Sequence, residues 1–162
     1  MPNNAEFKTL DAERTVGIHP NPTTETTLMT MKKKILAFVV VLVLTTLTNF
    51  LIHAVLLQGV YQQNANLMRP PQDQSHAPFL LVGFFFFAVA FVWLYPNRTT
   101  GGQWPMEGLR YGVAVWLLAA VSRYSIYYAI QPWPINTMIL QIAYEFVMML
   151  ILGEALAFVA SR

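Results

Sequence analysis

Cysteine is absent from the 162-residue chain. Disulfide frameworks, thiol redox chemistry and cysteine-ligated metal centres are thereby excluded. Charge is scarce as well: 11% of the residues are charged, against about 25% in a soluble domain whose surface must stay hydrated. Most of this chain's surface therefore does not face water. Histidine occurs three times, and only His53 lies in an apolar stretch, so two-histidine haem ligation within one chain is excluded. There is no His-Glu-x-x-His zinc pattern and no glycine-rich phosphate loop ahead of a lysine. Ser122 and Ser125 stand in no hydrolase motif. The expectation is a non-enzymatic chain with no cofactor and no metal. Its 10 basic residues are scattered, and their one cluster, Lys32 to Lys34, abuts an apolar run. That is a membrane flank rather than a nucleic-acid patch.

What fills the chain instead is apolar: 56% of the residues are hydrophobic. No formal charge interrupts Ile35 to Gly59 or Pro78 to Tyr95. A bilayer core ~30 Å thick takes about 20 apolar residues as a helix. The reading is all-α: an antiparallel bundle of four transmembrane helices at about 35–61, 78–95, 106–131 and 135–160, behind a disordered N-terminal tail. The tail, 1–31, is polar, with Pro2, Pro20, Pro22 and a Thr-rich run, and shows no apolar periodicity. Met29 and Met31 are alternative starts to Met1. Basic residues before an apolar run also describe a signal peptide, but this run is too long and no small-x-small cleavage site follows it. The membrane domain is 32–162. A polar loop at 62–77 carries Arg69, Pro70, Pro71 and Asp73, Pro96 ends the second helix, and Pro132 and Pro134 make the last turn. Short turns make helices two, three and four antiparallel neighbours.

Orientation follows from Lys and Arg in the short loops and ends. Lys8, Arg14, Lys32, Lys33, Lys34, Arg98 and Arg162 share one side, with Arg110 close by, and only Arg69 lies on the other. Both termini are therefore expected to be cytoplasmic, in a multi-pass protein of a cell inner (plasma) membrane. Tyr61, Tyr127, Tyr128 and Trp133 suit the outer interface, and Trp93, Tyr95 and Trp104 the inner one. Asn97-Arg98-Thr99 matches a glycosylation acceptor but falls on the cytoplasmic side, where it is taken as chance.

Ionisable groups inside a bilayer cost ~2.5–3.5 kcal/mol each on insertion scales, so each needs an explanation. The candidates are His53, Arg110, Arg123, Glu145 and Glu154. At ~1.5 Å of rise per residue, Arg123 lies about 12 Å and Glu145 about 16 Å from the outer ends of consecutive antiparallel helices, so they can meet. Arg110 and Glu154 also match in depth. At about 100° per residue, however, one helix interface cannot hold both pairs, and the shallower pair can snorkel to the headgroups. Arg123–Glu145 is the expected interior pair. Thr45, Asn49 and His53 make an i, i+4, i+8 stripe on helix one, and Gln141 and Glu145 repeat the spacing on helix four. Facing stripes would form a polar cluster of Asn49, His53, Arg123, Gln141 and Glu145. Its functional meaning is a binding pocket, ion path or proton relay. Its plain meaning is a satisfied network that fixes helix register.

Gly108 and Gly112 form a GxxxG spacing that permits close backbone approach, and Gly153 and Ala157 form a comparable one at similar depth on helix four. Arg123 falls within about 20° of Gly112 on an ideal wheel and so shares its face. The run Phe84 to Phe87 covers all sides of a helix and reads as lipid-facing or packing residues.

The lysine-flanked first helix with Asn49-Phe50-Leu51-Ile52-His53, and Gly-Leu-Arg-Tyr-Gly opening the third, give the chain from about Met31 to Ala160 a layout similar to uncharacterised small bacterial four-helix membrane proteins. The resemblance implies the bundle and supplies no activity. The leading expectation is a non-catalytic accessory subunit or homo-oligomeric membrane component, with the lipid bilayer and a membrane-protein partner or a second copy as its partners and no nucleic acid. The alternative is a small transporter or channel that uses the His/Arg/Glu cluster.

Overall fold

A computed structural model of the chain describes residues 27–70, 73, 75–96, 98, 99 and 103–162. Four of its helices are long and apolar enough to cross a membrane. We label the helices α1 (Met31–Leu56), α2 (Gln58–Gln63), α3 (Ala77–Leu94), α4 (Trp104–Ile130) and α5 (Ile135–Ser161). The long ones, α1, α3, α4 and α5, run alternately up and down.

Local chemistry sets the ends. Thr30 caps α1 by accepting the Lys33 N–H at 3.4 Å, as an N-cap hydroxyl does. Proline stands in the first turn of both α3 and α4, where its missing N–H costs nothing. Tyr95 and Gln131 are extended, each just before a proline, and end α3 and α4.

Two boundaries differ from the sequence expectation. The first helix does not run unbroken to Tyr61. Its last stretch, Phe50–Leu56, is wound as a π-helix, and the Leu57 N–H closes on the Ile52 carbonyl at 2.8 Å. Leu57 is fully buried, and the chain bends there into the short α2. The tail is also shorter than 1–31. Thr27–Leu28 pair antiparallel with Arg98–Thr99, Met29 is buried in the core and Met31 already belongs to α1. The remainder of the expected tail, 1–26, lies outside the described residues.

The core sits in the half of the bundle that holds the start of α1 and the end of α5, here the terminal half. Ala37 and Val41 of α1, Ala88 and Phe91 of α3, and Leu152, Leu156, Ala157 and Ala160 of α5 meet there. The Lys33 ammonium donates to the Ala160 carbonyl at 3.3 Å, a favourable place for a cation because the last carbonyls of a helix are unpaired. Closest of all is α4 against α5. A Cβ added to Gly108 would lie 2.8 Å from the Gly153 carbonyl oxygen, and one added to Gly112 would lie 2.5 Å from that of Met149. Gly108, Gly112, Gly153 and the fully buried Ala157 thus form the small-residue face read from their spacing. Outside, the bundle is apolar, with Leu47, Phe86, Trp93 and Ile151 all exposed. That surface suits hydrocarbon, where the helices satisfy their backbone groups internally.

Candidate functional site

The other half of the bundle, distal to the termini, holds a cavity beside its buried residues. Glu145 stands on α5 at 2% exposure, one of three buried polar residues among those described. Its Oε1 accepts from Arg123 Nη2 at 2.5 Å, and from the Tyr124 hydroxyl as well. Its Oε2 is buried and has no hydrogen-bond partner among the described residues. The expected Arg123–Glu145 pair is therefore formed, but only one carboxylate oxygen is used.

Arg123 does not sit where an ideal wheel puts it. Between Gly112 and Arg123 lies a second π-helical turn, Leu117–Val121, which accommodates one residue more than an α-turn. One residue is worth about 100° of phase. Tyr124, 7% exposed, takes the buried face that Arg123 was expected to occupy. Arg123 comes in from the side, with its side chain 44% exposed and its guanidinium carbon 4.8 Å from the Tyr124 ring centroid. Its length still brings Nη2 to the carboxylate.

The remaining cluster residues form a second network. Gln141, one turn from Glu145, donates to the Tyr61 hydroxyl at 3.0 Å. The same oxygen lies 2.6 Å from His53 Nδ1. The bend at Leu57 makes this possible, because it folds α2 back so that the Tyr61 ring stacks on His53 with centroids 6.0 Å apart. Trp133 closes on Tyr61 edge-on. Asn49 takes no part in either network; its amide donates to the Thr45 carbonyl at 2.9 Å and reaches Met148 Sδ at 3.4 Å. Arg110 is exposed and belongs to neither network.

The single polar cluster expected from the sequence is thus two groups, Arg123–Tyr124–Glu145 and His53–Tyr61–Gln141. Arg123, Tyr124 and Glu145 of the first group and His53 and Gln141 of the second line one cavity of about 620 Å³, while Tyr61 is not among its lining residues. Phe50, Phe84, Tyr127 and Trp133 supply its aromatic walls, and Asn49 also lines it. Cavities of this size hold a drug-sized molecule. Tyr61 and Tyr124, which carry the hydrogen bonds between elements, were not singled out as site residues from the sequence. Tyr61 reads as an interfacial aromatic until the bend at Leu57 is known, and Tyr124 faces inward only because of the π-turn.

Chemically, the cavity is lined by a paired carboxylate and a guanidinium with unused N–H donors, both beside aromatic side chains. Burial strengthens polar contacts there and makes an unpaired one costly. No family model, no curated protein and no solved structure matches this chain.

Proposed function

We propose that the chain is a small, non-catalytic membrane carrier that binds its ligand in the distal cavity at the Arg123–Glu145 centre. One observation supports the reading above the rest. The buried Glu145, whose carboxylate is hydrogen-bonded through one oxygen only, and Arg123 beside it both line a cavity of about 620 Å³. A network serving only to fix helix register has no use for the space or for the spare acceptor, since a half-satisfied buried group destabilises. With both termini on the cytoplasmic side of a plasma or inner membrane, as the lysine and arginine distribution favours, the lining residues Gln131 and Trp133 lie at the outward-facing end.

The test exploits the lack of native cysteine. Met138→Cys and Ala54→Cys place single thiols on the cavity wall, and Leu81→Cys places one on an exposed apolar face. A water-soluble, membrane-impermeant thiol reagent added from the side opposite the termini is expected to modify the first two and spare the third. Resistance of both cavity thiols, in folded protein, overturns the carrier reading.

A second reading, association as an accessory subunit or a homo-oligomer, draws on α3. Every residue from Ala77 to Gly83 is exposed, so two turns of this helix have no packed face within the chain. Purification in mild detergent, with the mass of the resulting particle, distinguishes a lone chain from a complex or an oligomer.

A further inference from the structure

We infer that the distal cavity opens sideways to the bilayer between α3 and α4, and that its ligand is a long-chain carboxylic acid whose carboxylate meets Arg123. The inference rests on the carrier reading above and adds the route of entry and the chemical class of what is carried.

The route follows from where α3 and α4 touch. The Tyr111 hydroxyl of α4 donates to the Phe91 carbonyl, and its ring packs edge-on against Phe91 and Tyr95. The Tyr95 hydroxyl donates to Glu107 at 3.4 Å. Among the described residues these are the side-chain hydrogen bonds and ring contacts that join the two helices, and all lie in the terminal half. Farther out the helices face each other across a gap. Every residue of 77–83 is exposed, and so is every residue of Ser122–Ile130 except Tyr124. A Cβ added to Gly83 would have nothing within 4 Å. A second cavity of about 220 Å³ is lined by Phe79, Gly83 and Phe87 of α3, and it shares Leu80, Phe84 and Arg123 with the larger one. An apolar trough along α3 thus leads to Arg123.

The ligand class follows from what that trough reaches. The Arg123–Glu145 pair shows its cation and hides its anion, with side chains 44% and 3% exposed. A ligand that enters meets the guanidinium. Only Nη2 engages Glu145, and the other N–H donors have no partner among the described residues. A carboxylate takes them in the fork geometry that arginine offers. Glu145 keeps a second donor, the Tyr124 hydroxyl, while the guanidinium is shared. Arg123 lies about 12 Å below the outer end of α4, where an uncovered cation is costly. An acid covers it, and a cationic headgroup is repelled. Depth also selects the source. Glu145 holds the guanidinium below the level of phospholipid headgroups, to which a small carboxyl on a single chain can sink while its tail lies against Phe84 and Phe87.

The experiment uses the full chain in phosphatidylcholine nanodiscs and a palmitate analogue with a photoreactive diazirine on its chain. Labelling is mapped by peptide mass spectrometry, with palmitate, hexadecanol and hexadecylamine as competitors. Labelling is expected on residues 77–87, and palmitate is expected to compete at a concentration roughly ten-fold or more below that of either other compound. Gly83→Phe, at a position with open space, is expected to block labelling by filling the trough. Arg123→Gln is expected to erase the preference for palmitate over hexadecanol. Equal competition by palmitate and hexadecanol overturns the carboxylic acid, and labelling spread evenly over the outer faces of the four long helices overturns the side entry. Both comparisons use the unsubstituted protein and stand even if a variant fails to fold. Repetition with phosphatidylglycerol in the nanodiscs tests the source. If that lipid suppresses labelling as palmitate does, the acid is a phospholipid phosphate and the carboxylic acid is wrong. If Met138→Cys and Ala54→Cys react with the thiol reagent but palmitate is not preferred, the ligand class falls and the carrier reading stands. If both thiols resist while palmitate is preferred, the carrier reading falls and Arg123 remains the acid site.

Discussion

The Tyr61 hydroxyl lies 2.6 Å from Nδ1 of His53, although eight residues and a change of helix direction at Leu57 separate them. The same oxygen receives the Gln141 amide from α5. One phenol thus ties the distal end of α1, the short α2 and α5 together.

Replacing Tyr61 by Phe removes that oxygen and keeps the ring. His53 and Gln141 each lose a partner, and a hydrogen bond of this kind contributes about 1 kcal/mol net, with more at stake if a buried group is left unpaired. Thermal unfolding in detergent is expected to move down by a few degrees. Histidine NMR should show the His53 Nδ1 resonance shifting, while Gln141→Leu in the Tyr61→Phe background should cost little more.

The α4–α5 contact predicts opposite outcomes for two glycine-to-alanine changes. In Gly112→Ala the new methyl falls 2.5 Å from the Met149 carbonyl oxygen, a backbone atom that can yield only if the helices separate. A loss of about 1–3 kcal/mol is expected, as for other overpacked sites. Gly83 has nothing within 4 Å of an added Cβ. There, Gly83→Ala should be neutral or stabilising by up to about 1 kcal/mol, through helix propensity. Paired denaturation curves decide. Equal effects at the two positions would mean that the helices do not approach so closely.

Breaking the Arg123–Glu145 pair from either side should cost more than removing it whole. Glu145→Leu leaves the guanidinium without its carboxylate, and Arg123→Leu leaves a carboxylate at 3% side-chain exposure without its cation. Loss of one partner of a buried pair typically costs about 3–5 kcal/mol. The 44% exposure of Arg123 lets it swing toward the headgroups, so the Glu145 substitution should fall below that range and the Arg123 substitution within it. In the double variant the costs should not add, giving a coupling of about 1 kcal/mol or more in a thermodynamic cycle.

In the loop before α3, Asp73 accepts from the Ser75 hydroxyl and from its backbone N–H. The hydroxyl bond, followed by the backbone bond, holds the carboxyl below its usual range. Its folded-state pKa is depressed, so this local order is complete above the ordinary aspartate range and is lost as pH falls through the lower folded value. Titration of the Asp73 carboxyl by NMR should give a midpoint below 3.8, the ordinary aspartate value. Ser75→Ala should return it toward that value.

Much of this was legible along the chain. The spans, their up-and-down order, the glycine face of Gly108, Gly112 and Gly153, and the Arg123–Glu145 pairing all follow from features repeated over many residues or from depth, which rise per residue makes nearly exact. Angular phase is more fragile. It accumulates residue by residue, so one π-turn at Leu117–Val121 was enough to exchange the roles of Arg123 and Tyr124. A second, at Phe50–Leu56, preceded the bend that brought Tyr61 onto His53. Neither wide turn is announced by proline or glycine within it.

The sequence by itself determined the solvent of this protein. Too few charges and four long apolar runs leave hydrocarbon as the only medium that such a surface tolerates, whatever the packing inside. Only the tertiary structure decided that the terminal half is closed by contacting backbones while the distal half keeps a cavity lined by Arg123 and Glu145, with one carboxylate oxygen buried and unpartnered among the described residues. The reason is physical. Burial of apolar surface is additive and can be summed along a chain, whereas a cavity and an unpaired oxygen are differences between how four helices could meet and how they do.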